Sequence, residues 1–214
     1  MLHLIISTPR SGSNSLCKFL AMQHTAFNMY EPVTDNRALL NNLTTTISLI
    51  VKQLLADSVK QNIVAKFHID HLLLLFPQSK NILVDLLNRS KLYYCLRLNF
   101  AAQIKSTLGI ETTGIFDKRI TMSTMLFNGS AANRISAKLT NEISIMGEWY
   151  KDFNGELRVL EAVSKTYDSN DFGRYLDTYS FVYDSTFTQQ FVEQHVDVLE
   201  IFNRGNSLYS LIGN

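Results

Sequence analysis

The chain is poor in most of the residues that mark a specialised architecture. Among its 214 residues are two cysteines, Cys17 and Cys95. That is too few for a disulfide framework and offers no metal-ligand spacing, so both are expected to be buried thiols. No apolar run approaches the about 18 residues needed to cross a bilayer, and no basic segment precedes the first apolar run. These two absences predict a soluble, cytoplasmic protein without a membrane span. Neither charge prevails, with 20 basic and 19 acidic side chains. The electrostatic footprint of a nucleic-acid binder is therefore missing. The chain also lacks a Gly-x-Ser-x-Gly elbow, an internal repeat and any low-complexity tract, and the spacing of its His, Cys and Asp residues leads to the expectation of no metal site. Asn-x-Ser/Thr triplets at Asn42, Asn88 and Asn128 carry no weight without a secretory route.

What the chain has is enough apolar material for a core. A hydrophobic content of 46% over this length fits one domain spanning residues 1–214. The opening stretch organises the rest. Leu2, Leu4, Ile5 and Ile6 form an apolar run suited to a parallel strand covered on both faces. Ser7-Thr-Pro-Arg-Ser-Gly12 is a small-residue turn, and Leu16, Phe19, Leu20 and Met22 follow at helical spacing. Strand, small-residue loop and helix start aim backbone N–H groups and the positive end of a helix at one point, where a phosphate or sulfate is stabilised. Set against the Walker pattern, this loop keeps only the second glycine, Gly12. Ser13 stands at the lysine position and Asn14 at the magnesium-binding hydroxyl. An ATP or GTP kinase would lack two working parts here. The loop instead offers the permanent cation Arg10, the hydroxyls of Ser11, Ser13 and Ser15, and several N–H donors. That set suits a phosphate–sulfate anhydride, which needs no metal.

On these residues, Thr8-Pro-Arg-Ser-Gly-Ser13 and the helix after it, the chain resembles sulfotransferases that use 3′-phosphoadenosine 5′-phosphosulfate (PAPS) and release adenosine 3′,5′-bisphosphate. Their 5′-phosphosulfate loop reads Thr-Pro-Arg-Ser-Gly-Ser/Thr in carbohydrate-directed branches. A second element is similar too. Leu96-Arg-Leu-Asn-Phe-Ala-Ala-Gln-Ile-Lys-Ser106 matches the family's strand-end arginine and following helical serine, which hold the 3′-phosphate, so the resemblance gives that role to Arg97 and Ser106. Leu98 and Asn99 depart from the family's second arginine and aspartate, which leaves some contacts absent or supplied by Lys105. Phe27-Asn-Met-Tyr-Glu-Pro32 is similar to a Phe-x-x-Phe-Glu-Pro segment of the carbohydrate branches and marks Glu31 as a catalytic base; a glutamate in this place serves as base in the bacterial trehalose sulfotransferase-like branch. Lys66-Phe-His-Ile-Asp-His-Leu-Leu-Leu-Leu-Phe-Pro77 is similar to the histidine-bearing segment of the cytosolic branch and marks His68. Histidine has the better ordinary pKa for a base, whereas Pro32 holds Glu31 on extended chain. Both remain candidates at this point, and His71 is read as a packing or capping residue.

The resemblance implies a three-layer α/β/α domain with a mainly parallel sheet, of the P-loop sulfotransferase fold. Its acceptor would be a carbohydrate hydroxyl or another small alcohol. An ATP-dependent phosphotransferase and an inactive nucleotide- or glycan-binding relic of the same fold are the alternatives. Along the remaining chain, periodicity predicts a loop over 25–36, helices over 37–56, 79–89 and 99–108, and strands over 62–68 and 91–97. Turn signals mark residues 110–135, which carry Lys118 and Arg119, and the resemblance implies that a loop of this region closes on cofactor and acceptor. A long helix over 136–165, broken at Asn154-Gly155, a last strand over 180–184, and a helix over 186–202 or a helix then a strand over 196–201, complete the prediction.

Overall fold

The computed structural model describes residues 1–29, 31–32, 43–76, 78–113, 129–160 and 197–212. Five strands, β1 (Leu2–Ser7), β2 (Phe27–Met29), β3 (Ile63–His68), β4 (Ser90–Arg97) and β5 (Glu156–Leu160), form one sheet in the order β2-β3-β1-β4-β5. Every pairing in it is parallel. The helices are α1 (Ser13–Gln23), α2 (Leu43–Asp57), α3 (Ile69–Leu73), α4 (Lys80–Asn88), α5 (Phe100–Thr113), α6 (Gly129–Phe153) and α7 (Val198–Arg204). A short 3₁₀ turn, Ser207–Tyr209, follows α7.

Strand alternation sorts the side chains onto two faces. Leu2, Leu4 and Ile6 of β1, Ala65 and Phe67 of β3, and Leu92, Tyr94 and Leu96 of β4 join the larger cluster, with apolar residues of α2, α4, α5, α6 and α7. Ile5, Val64, Tyr93 and Cys95 point the other way and meet Leu16, Cys17 and Leu20 of α1. Helices thus cover both faces, which is why the strands carry no polar alternation. The same alternation puts His3, Lys66 and Arg97 on the α1 side of the sheet, and all three are buried there.

Several expectations are corrected. The segment expected to be a loop from residue 25 contains β2, whose Phe27 N–H bonds Asn62 O at 2.9 Å as it joins the sheet edge. Residues 110–113 and 129–135 of the expected closing loop are helical, because α5 runs on to Thr113 and α6 begins at Gly129. The long helix stops at Phe153, at the expected break, but residues 156–160 after it are strand rather than helix. Asn154 (φ 59°) and Gly155 (φ 135°) turn the chain, and β5 follows immediately beside β4. A β-carbon at Gly155 would sit 2.9 Å from Leu92 Cβ, so the turn is held by a close approach as well as by φ. Residues 198–204 are helical, not a strand: Asp197 caps α7 through a 2.9 Å bond from the Glu200 N–H. The expected strand at 180–184, residues 161–165 of the expected helix, and Lys118 with Arg119 lie outside the described residues.

The chain leaves β1 for β2 and β3 on one side of it, and after β3 crosses to β4 and β5 on the other. The crevice at the carboxyl ends of these strands is thus a topological switch point, where open parallel sheets bind ligands. Ser7 is level with His68 of β3 and Cys95 of β4, so residues 8–12, 68–71 and 97–99 emerge together at that edge.

Candidate functional site

The loop after β1 is shaped by two left-handed residues, Arg10 (φ 60°) and Gly12 (φ 85°, ψ 10°), the second being the N-cap of α1. Left-handed geometry costs a residue with a β-carbon about 1–2 kcal/mol, so Arg10 holds it only because surrounding contacts enforce it. Those contacts are visible. Ser11 Oγ donates to Thr8 O at 2.9 Å. Gln103 of α5 donates through Nε2 to Thr8 Oγ1 and Pro9 O, both at 2.6 Å. Arg97 donates to Arg10 O at 3.2 Å, and the Cys95 thiol to Ser11 O at 3.6 Å. The Arg10 side chain then reaches across to α5, where its Nε donates to Ser106 Oγ at 2.8 Å.

Both phosphate elements read from the sequence therefore meet. Arg97 and Ser106 each bond Arg10, one at its carbonyl and the other at its guanidinium. Ser11, Ser13 and Ser15 are buried beneath the loop and the first turn of α1, and Asn14 is exposed on that turn.

The two base candidates also meet. His68 Nε2 lies 3.5 Å from Glu31 Oε1, and Glu31 is ion-paired with Lys66 Nζ. Lys66 donates in addition to Asn14 Oδ1 at 2.5 Å, which ties this pair to the start of α1. Its side chain is 2% exposed. Burial lowers the Lys66 pKa, and the Glu31 carboxylate opposes that shift without cancelling it. His68 is lowered to about 4 by burial and then by the Lys66 charge, so its imidazole is neutral at pH 7. Its ring stacks on His71 with centroids 5.5 Å apart, which gives His71 a packing contact within the site. The thiols of Cys17 and Cys95 are pushed up to about 12 by burial, which makes them inert.

The chain matches no known family profile and no curated protein. The site is accordingly argued from its own chemistry. At the carboxyl edge of the sheet it brings together two guanidinium groups, one ammonium and the head of α1, with a carboxylate and a neutral imidazole beside the ammonium. Such a set holds anions and accepts a proton.

Reading the sequence missed two participants. Lys66 has no role of its own in the motif that contains it, although a lysine within Ile63-Val-Ala-Lys-Phe67 must either break the apolar pattern or be buried with a partner. Gln103 was noted within a motif, but its role as the clamp on Thr8 and Pro9 depends on α5 crossing the loop, which no local pattern encodes.

Proposed function

We propose that the protein is a PAPS-dependent sulfotransferase acting on a hydroxyl acceptor, with a carbohydrate as the favoured class. The observation that carries this reading is the junction of Arg10 with both Arg97 and Ser106, which sets two anion-binding elements side by side at the sheet's carboxyl edge. A donor substrate bearing two anionic ends suits such a junction better than a single phosphate does. The loop lacks the lysine and hydroxyl that a magnesium nucleotide requires, and this favours a metal-free donor.

In this reading Arg97 and Ser106 hold the 3′-phosphate, while Arg10 and the N–H groups of residues 11–15 hold the phosphosulfate. Lys66 would hold Asn14 and Glu31 at the correct separation. The acceptor oxygen forms a bond to sulfur as the bond from sulfur to the bridging oxygen breaks. The hydroxyl proton passes to the Glu31–His68 pair, and adenosine 3′,5′-bisphosphate leaves. Donors fixed before the reaction stabilise charge growing on the bridging oxygen, where they lower the barrier most. Because Glu31 and His68 are adjacent, the two base candidates are two ends of one proton-accepting pair.

Calorimetry should show binding of adenosine 3′,5′-bisphosphate without magnesium and weak or absent binding of ATP. Transfer of labelled sulfuryl to a panel of sugars should fall by about 100-fold or more in Arg10→Ala, the loss typical of removing a transition-state donor. Preference for magnesium ATP would replace this reading with a phosphotransferase, and bisphosphate binding without transfer would leave a binding protein.

A further inference from the structure

Beside the anion crevice, the junction of β3 and α3 carries a second constellation. His68 ends the strand, Asp70 and His71 lie in the first turn of α3, and one potential ligand atom from each lies within 4.8 Å of the others. The geometry points to a site for a divalent ion of the zinc class held by His68, Asp70 and His71. Two imidazoles and one carboxylate suit zinc, cobalt or nickel, whereas magnesium and calcium demand oxygen ligands. Three protein ligands leave a further position open. Zinc bonds of about 2.0–2.1 Å require donors nearer to one another than those found here, so ligation draws the side chains inward by rotation about their χ angles.

A second observation on the same surface also points to a cation. Glu142 of α6 is buried, and neither carboxylate oxygen has a hydrogen-bond partner among the described residues. Lys138 Nζ stands between two acids, 3.0 Å from Asp70 Oδ2 and 3.4 Å from Glu142 Oε1, the latter an ion-pair distance without hydrogen-bond geometry. The Lys138 side chain is 54% exposed, so its ammonium can leave for solvent when another cation arrives. Asp70 Oδ1 accepts from the His71 N–H at 2.9 Å, which orients the carboxylate and leaves a lone pair on that oxygen. Opposing charge comes from Lys138 itself and from Lys66, and Glu31 Oε1 lies 3.5 Å from His68 Nε2. An ion on either nitrogen of His68 leaves its imidazole unable to accept a proton. Slower transfer then follows only if the function proposed above is correct, whereas ion binding does not depend on it.

The test is isothermal titration of the untagged full chain with zinc chloride alone, accompanied by the visible spectrum of the cobalt(II) form. One ion per chain is expected. Affinity should fall by about tenfold or more in both His71→Ala and Asp70→Asn, and rise in Lys138→Met, which removes the competing ammonium without touching a ligand. Circular dichroism identifies a variant that has failed to fold, and the other ligand variant then decides. Absence of binding by the wild type, binding unchanged in a folded ligand variant, or no gain in Lys138→Met overturns the site. Because the readout is binding, a failure here is distinguishable from a failure of the sulfotransferase reading.

Discussion

His3 sits near the amino end of β1 on the α1 face, 3% exposed, stacked on His24 at 4.1 Å with its Nδ1 3.3 Å from the Tyr93 hydroxyl. Burial lowers its pKa from 6.5 to about 4, with His24, Lys91 and the amino terminus acting in the same direction and Glu156 against them. Between those two values the unfolded chain binds a proton that the folded chain refuses. Stability is therefore full above pH 6.5 and falls as the pH drops toward 4, by about 3 kcal/mol at the low end. His3→Gln retains a partner for Tyr93 and removes the titration. Denaturant melts at pH 4.5 and pH 7 should differ less for this variant than for the wild type, and equal differences would sink the assignment. At this scale the sequence was legible for Arg10, Arg97 and Ser106, whose spacing within strand–loop–helix units is local. It was not legible for Lys66, whose partners Asn14 and Glu31 lie far away along the chain.

Gly147 shows what an element owes to its neighbour. It lies in the middle of α6, where an alanine ordinarily stabilises a helix by about 1 kcal/mol. Here a β-carbon would fall 1.7 Å from Phe202 O of α7, a backbone atom that cannot step aside. Gly147→Ala should instead destabilise by about 2–3 kcal/mol or displace α7, with thermal unfolding showing the sign. A gain in melting temperature would show that the two helices do not pack as described. The α6–α7 contact is tied further by Lys151 Nζ donating to Arg204 O at 2.7 Å, and Trp149 Nε1 ties α6 to the 3₁₀ turn after α7 by donating to Tyr209 O at 2.9 Å. Periodicity identified α6 and the apolar role of Trp149, but it overran the carboxyl end. The stop depends on Asn154 and Gly155 adopting positive φ, which becomes favourable because β5 then finds a place beside β4.

Over the whole molecule, the crevice joins β1, β3, β4 and α5, so a ligand gripping it links parts that unfold together. Adenosine 3′,5′-bisphosphate at about one hundred times its dissociation constant should stabilise the fold by about 2.7 kcal/mol, a rise of about 5–10 °C in melting temperature for a chain of this size. Arg10→Ala should abolish most of that rise while leaving the ligand-free melt nearly unchanged. A full rise in the variant would place the nucleotide elsewhere. A parallel α/β sheet was readable beforehand in part, from the apolar runs of β1, β3 and β4 with helical patterns between them, and the layered arrangement was what the resemblance implied. The sequence by itself determined β1, β3, β4 and the helices α1, α2 and α4, and where a loop rich in anion donors begins, since these depend on local periodicity and turn chemistry. Only the tertiary structure decided that Glu31 meets both Lys66 and His68, that Gln103 clamps the loop, and that Lys138 reaches Asp70. Those contacts join residues 35 to 95 positions apart, and strand order and helix crossing, not sequence spacing, bring such residues within hydrogen-bond reach.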